Sequence, residues 1–257
     1  MTKPIQIKDV EIGSGLPKVC VPLTSTTESL LCQEAEAAKA AQPDLVEWRA
    51  DFYEDLFKEE KLTETLQKIA EILDPVPLLF TIRTSAEGGN VGISVEDYAK
   101  INLAAAKSGY ADLIDVEVFG AENEKIALIE KLHETDVKVI ASTHDFEKTD
   151  AKDVLLERFL QMDKTGADIL KMAAMPKDFD DTAAIMQVTH DVVNNHTEKP
   201  VISMSMGNIG SMSRIAGENF GSSVTFATVG AASAPGQFPI KDLRMMMQAL
   251  HEKSINE

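Results

Sequence analysis

The feature that most constrains this chain is an alternation. Eight short runs of apolar and β-branched residues recur along it: Val19–Leu23, Leu45–Arg49, Leu78–Arg83, Leu113–Val118, Val137–Ser142, Ile169–Ala173, Val201–Met206 and Val224–Val229. Each is followed by a longer stretch with helical patterning: Ser29–Ala41, Glu59–Leu73, Ser94–Lys107, Glu122–Glu134, Asp150–Lys164, Asp178–Asn195, Ser211–Asn219 and Lys241–Lys253. Ser94 with Asp97 reads as a capping box, and Gly109 and Gly166 read as helix stops. Strict β-then-α order predicts parallel strands joined by right-handed crossovers. Closing such a sheet gives a (β/α)8 TIM barrel. An open doubly wound sheet is the runner-up, but it would carry a Gly-rich loop after its first strand, where this chain has Thr24-Ser25-Thr26-Thr27. With 257 residues, 44% of them hydrophobic, the chain can bury one sizeable core, so a single barrel domain over 1–257 is expected. Ahead of the first run, Ile5-Gln6-Ile7 and Val10-Glu11-Ile12 flank Lys8-Asp9 and predict a small hairpin closing the bottom of the barrel.

Charge and patterning exclude some classes. A net charge of −17 repels nucleic acid and anionic lipid, although a local pocket can still hold a small anion. No apolar stretch of about 18 residues is present, so no membrane span is expected. The start, MTKPIQIKDV, lacks the apolar core of a signal peptide, which makes a cytoplasmic protein the default. The two cysteines, Cys20 and Cys32, make neither a disulfide framework nor a metal cage and read as buried or half-buried thiols. The histidines are scattered, and no metal-ligand spacing or phosphate loop is visible.

Barrel enzymes place their chemistry at the C-terminal ends of the strands. Of five arginines, Arg49 and Arg83 end the second and third runs, and Arg214 follows the seventh. Each could pair with a neighbouring acid such as Glu47 or Asp51. Together they suit a bound carboxylate or a polyhydroxylated anion. Lys171 lies inside an apolar strand, Asp168-Ile169-Leu170-Lys171-Met172-Ala173-Ala174. Desolvation there would favour the neutral, nucleophilic amine and suggests a Schiff base with a carbonyl substrate. The bland alternative is a buried ion pair with Asp115 or Glu117. His144 is the one strand-end histidine of five and neighbours the Lys171 strand, a place for a proton carrier. Glu87 follows the third run and could orient that histidine, or could simply be a loop acid before Gly88-Gly89. The stretch Ala231–Pro239 is a candidate lid offering Ser233 and Gln237, or else a plain surface turn.

These residues resemble a known family. Glu47-Trp48-Arg49, Leu79-Phe80-Thr81-Ile82-Arg83 with Glu87-Gly88-Gly89, His144-Asp145-Phe146, Gly166-Ala167-Asp168 leading to Lys171, Met204-Ser205-Met206, Ser213-Arg214-Ile215-Ala216-Gly217 and Ser233-Ala234-Pro235-Gly236-Gln237 look like type I 3-dehydroquinate dehydratase, in order and along the whole chain. The resemblance implies syn dehydration of 3-dehydroquinate to 3-dehydroshikimate in the shikimate pathway of aromatic amino-acid biosynthesis. It implies an imine on Lys171, proton transfers by His144, and support of His144 by Glu87. It also implies a carboxylate seat at Arg214, contacts from Glu47, Arg49 and Arg83 to ring hydroxyls, and lid closure through Ser233 and Gln237. A homodimer is implied, and neither a metal nor an organic cofactor is needed. One departure stands out: a serine that touches substrate in some members is replaced here by Pro22.

Two rivals remain. A class I aldolase uses the same barrel and lysine imine, but usually holds phosphate on backbone amides after the last two strands. A non-catalytic binder of small carboxylates would keep the pocket and form no covalent bond.

Overall fold

The structure, a computed structural model, describes residues 2–230 and 233–254. A two-stranded antiparallel hairpin, β1 (Ile5–Ile7) and β2 (Val10–Ile12), comes first. The barrel strands are β3 (Lys18–Leu23), β4 (Leu45–Arg49), β5 (Leu78–Thr81), β6 (Leu113–Glu117), β7 (Lys138–Asp145), β8 (Ile169–Ala174), β9 (Val201–Ser205) and β10 (Val224–Thr228). A short parallel addition, β11 (Phe238–Pro239), lies beside β10. The helices are α1 (Glu28–Ala40), α2 (Glu59–Leu73), α3 (Val95–Lys107), α4 (Glu122–Leu132), α5 (Lys152–Asp163), α6 (Phe179–Asn195), α7 (Ser211–Ile215), α8 (Gly217–Phe220) and α9 (Ile240–Ser254).

Every strand from β3 to β8 pairs in parallel with the next, and β10 pairs in parallel with β3. The remaining seam, between β9 and β10, is closed by one Val201–Ser222 bridge, with the Ser223 amide donating to the Val201 carbonyl at 2.7 Å. Ser222 reinforces it from its side chain, accepting the Ser203 amide at 3.0 Å. The (β/α)8 expectation therefore holds, with a side chain standing in for part of one ladder. Pro22 is a buried residue of β3 facing Glu47 of β4, and the β10–β3 ladder stops at Cys20, before the residue that has no N–H to give.

Two buried apolar layers follow from strand alternation. The outer one packs the helices on the sheet. The inner one joins Cys20, Leu45, Leu113, Ile140 and Ile169, all near the N-terminal ends of their strands, to Ile7 and Ile12 of the hairpin. The hairpin thus plugs the barrel bottom, where Lys8 also pairs with Asp112 at 2.8 Å. The apolar plug leaves the C-terminal half of the interior for polar side chains.

Most element boundaries fall within a residue or two of expectation, with three informative differences. β5 ends at Thr81, so Arg83 lies beyond the strand. β7 runs on to Asp145, which places His144 within a strand and opposite Ala173. The helix expected over Ser211–Asn219 is broken into α7 and α8 at Ala216. There the Ser213 hydroxyl accepts the Ser205 amide at 2.9 Å, which fastens α7 to the end of β9.

Candidate active site

Alternation fixes what points inward. Leu45, Leu113, Ile140 and Ile169 belong to the inner layer, so the residues two and four further along face the interior as well. That brings Glu47 and Arg49, Asp115 and Glu117, Ser142 and His144, and Lys171 to the top of the barrel. Lys171, Glu47, Arg49, Arg83, His144, Arg214, Ser233 and Gln237 line one cavity, together with Phe146, Met204 and Phe226. Glu87 stands behind His144 and lines an adjoining, larger cleft. Every expected site residue is therefore brought together, eight in the cavity and Glu87 at its wall.

Lys171 is 3% exposed. Its ammonium lies 2.9 Å from Asp115 and 3.3 Å from Glu47, and over the Phe226 ring. The ion-pair alternative for Lys171 is thus what the structure shows, with Asp115 as the expected partner and Glu47 in the place of Glu117. Burial works against the Asp115 carboxylate, but Arg83 and Lys171 outweigh it and hold it well below the usual carboxylate range.

Two of the three mouth arginines are committed inside the protein. Arg49 makes a two-pronged contact with Asp51, at 2.8 and 2.9 Å. Arg83 reaches Asp115 and Glu117, both at 2.8 Å, and donates to Ser142 at 3.2 Å. Arg214 differs. It is 1% exposed, and among the described residues no carboxylate lies within ion-pair distance. Its Nη2 donates to the Pro235 carbonyl at 2.9 Å, and its Nε has no acceptor among the described residues. Burial alone lowers its pKa to about 10.

His144 Nδ1 lies 2.9 Å from a Glu87 oxygen. Burial, then the cations Arg83 and Lys171, push the imidazole well below its ordinary value. Burial, opposed by Arg83 but reinforced by Glu117 and Asp115, pushes the Glu87 carboxyl up to about 8. The loop bearing Glu87 folds tightly: a Cβ on Gly89 would sit 1.8 Å from the Arg83 carbonyl oxygen. A glycine is required there by close packing, so Gly88-Gly89 is no mere flexible tether.

Over the cavity, Ser233 and Gln237 bind each other, with the Ser233 amide to Oε1 and Nε2 to the Ser233 hydroxyl, each at 3.0 Å. Pro235 docks through its carbonyl on the Gly207 amide at 3.1 Å as well as on Arg214. Ala231 and Ala232 of the expected lid lie outside the described residues.

The sequence pattern of the type I 3-dehydroquinase family matches residues 19–254. The chain belongs to this family. It is 42% identical to the 3-dehydroquinate dehydratase of Clostridium botulinum over 252 residues, 98% of this chain and 99% of the relative. The Listeria welshimeri enzyme of the same name is 42% identical over 249 residues, covering 97% and 98%. Among solved structures, the type I 3-dehydroquinate dehydratase of Clostridium difficile with covalent modified comenic acid superposes with a TM-score of 0.95 at 36% identity, over 98% of this chain and 100% of that one.

In this type I 3-dehydroquinase, the sequence reading underrated the acids of β6. Asp115 and Glu117 entered only as conceivable partners of Lys171, yet they organise Arg83, Ser142, Thr84 and Lys171. The signal was present, because two carboxylates at alternate positions of an apolar strand share one face, as Lys171 does on its own strand. Asp51, expected as a possible partner of a mouth arginine, pairs with Arg49 and does more than that. It sits on the short turn after β4, where no periodicity marks it, and accepts from Arg49, the Arg83 amide and Asn90.

Proposed function

We propose that this chain dehydrates 3-dehydroquinate to 3-dehydroshikimate by syn elimination through an imine on Lys171, the shikimate-pathway step that leads toward aromatic amino acids. The observation that carries it is one cavity holding a buried lysine, a histidine held by Glu87 and a buried guanidinium without a carboxylate partner among the described residues.

The chemistry follows from charge. Arg214 takes the substrate carboxylate and gains the anion it lacks. Lys171 gives up a proton, its Nζ adds to the substrate ketone, and loss of water leaves a protonated imine. That imine carries the same positive charge in the same place as the ammonium, so Asp115, 2.9 Å away, balances both. The imine acidifies the α-proton. His144 Nε2 accepts it, the C–H electrons flow into an enamine, and His144 returns the proton to the departing hydroxyl as the C–O bond breaks. Water then hydrolyses the product imine and frees Lys171. In its carboxylate form Glu87 accepts from Nδ1–H and fixes the tautomer that leaves Nε2 able to accept. Glu47, Arg49 and Arg83 contact the ring hydroxyls, and Ser233 and Gln237 close over the ring. Neither a metal nor an organic cofactor is required for any of these steps. Pro22 offers no polar contact where some members have serine.

The same reading takes residues 1–257 as one domain acting in the cytoplasm as a homodimer. Exposed Phe179, Ile209 and Met212, at 66, 48 and 49%, support a paired surface. Among the described residues no helix is long and apolar enough to cross a membrane.

The test is ultraviolet absorbance during incubation with 3-dehydroquinate, because the conjugated enone product absorbs and the substrate does not. Steady growth is expected. No growth with dehydroquinate, but turnover of a phosphorylated aldol, would point to an aldolase.

A further inference from the structure

A cleft of about 900 Å³ lies apart from the Lys171 cavity. It lies on the other side of His144 and Glu87, between the loop after β5 and the ends of β6 and β7, and is lined among others by Ser85, Glu87, Gly92, Lys125 and Thr143. His144 and Phe146 line both spaces, so they form the partition. The substrate cavity is bounded on its outer side by Ser233, Ala234 and Gln237, whereas none of these lines the cleft.

Lys125 of α4 gives the cleft a polar wall. It is only 5% exposed, and its ammonium lies 3.4 Å from the centroid of the Tyr98 ring. Among the described residues its Nζ makes no hydrogen bond or ion pair. A buried ammonium has three donors to satisfy, and the ring face satisfies only part of that demand. Water in the cleft can supply the rest. Nothing in the residue pattern marks this second buried lysine, because it lies in an ordinary helical stretch.

We propose that the Glu87–His144 pair exchanges its proton with bulk solvent through this side cleft, and not through the lid-covered mouth. The proposal rests on the dehydratase reading above. After Nε2 takes the α-proton, the Nδ1–H bond breaks as an O–H bond forms on Glu87, 2.9 Å away. Glu87 trades that proton for one from cleft water, and the reverse step returns a solvent proton to Nδ1, while the α-proton stays on Nε2 for the departing hydroxyl. Charge and proton number are unchanged over the cycle. The site can thus stay closed over a reactive enamine while its acid/base pair remains in contact with solvent.

The experiment uses full-length enzyme with 15N-labelled histidine, its substrate cavity filled by borohydride-reduced adduct. The readout is the solvent-exchange lifetime of the His144 Nδ1–H by NMR. Gly92→Trp plugs the cleft, since a Cβ there would meet only Ser85 Oγ, at 3.7 Å. Ser85→Trp plugs it from the facing wall, and thermal unfolding checks that each variant folds. Either plug should lengthen the lifetime about tenfold, since excluding water from a site suppresses proton leakage. Gln237→Ala, which loosens the lid, should leave it unchanged. Wild-type lifetimes in a folded plugged variant, or a lifetime shortened by Gln237→Ala, would overturn the inference. Failure of the wild-type enzyme to form any adduct would overturn the dehydratase reading itself.

Discussion

A buried cation with no counter-charge is costly, and proteins keep one where a ligand supplies the anion. Arg214 is that residue here. Arg214→Ala should lower kcat/KM by the equivalent of ~2–5 kcal/mol, the range for truncating one partner of a buried charge pair. Arg214→Lys should recover only part of the loss, since an ammonium cannot make the two-pronged contact. Steady-state kinetics on the three proteins checks both. The Glu87–His144 pair makes a pH prediction with a definite sign. The Glu87 carboxyl is raised to about 8, so below that pH it is neutral and donates to Nδ1. The imidazole proton then sits on Nε2, which cannot accept the α-proton. Above about 8 the carboxylate accepts from Nδ1–H and frees the Nε2 lone pair. Thus kcat/KM should rise with pH through this region, and Glu87→Gln should flatten the rise. The folded state also holds an extra proton on Glu87 between the ordinary carboxylate range and about 8. Its contribution to stability is therefore full at low pH and lost as pH rises through that value. The difference in Tm between wild type and Glu87→Gln, measured from pH 5 to 9, should shift against the wild type as pH increases. A flat difference would show that Glu87 does not carry the shifted titration.

Strands and helices were legible because their periods differ and the inner and outer faces of each strand had to be apolar or purposeful. Lys171 stood out for that reason, as a charged residue inside an apolar strand, and His144 as the one histidine at a strand end. What connects elements was less legible. Arg83 acts from beyond β5, Asp51 from a short turn, and Ser222 closes the barrel seam with a side chain, none of which has a periodic signature. The Arg49–Asp51 pair was open to the eye as a neighbouring acid, whereas the commitment of Arg83 to Asp115 and Glu117 depends on how the segment after β5 meets β6, which strand order alone does not reveal. Loop packing has a consequence at the lid. Gly236 has φ +80, and an added Cβ would lie 2.3 Å from the Gly207 carbonyl oxygen. Gly236→Ala should therefore cost ~1–2 kcal/mol in backbone strain alone and lift Pro235 from its seat on Arg214 and Gly207. The expected outcome is a higher KM with Lys171 still open to trapping by substrate and borohydride. An unchanged KM would mean that the lid does not contribute to binding.

Across the whole molecule, stability and chemistry occupy opposite ends of one barrel. The hairpin and inner apolar layer hold the bottom, and the ion-paired polar layer holds the top. Ile12, 1% exposed within the plug, does not line the Lys171 cavity. Ile12→Ala should cost ~2–5 kcal/mol of folding stability, as large-to-small changes in a core do, while kcat stays near wild type. Denaturant unfolding with parallel kinetics tests that separation. The central claim is the covalent one, that chemistry passes through Lys171, and it has a direct measurement. The enzyme is incubated with 3-dehydroquinate and sodium borohydride, digested, and its peptides are weighed by mass spectrometry. A stable adduct on the peptide carrying Lys171, absent from Lys171→Ala, is the expected result. Label on a different lysine, or full turnover with no adduct on any lysine, would contradict it.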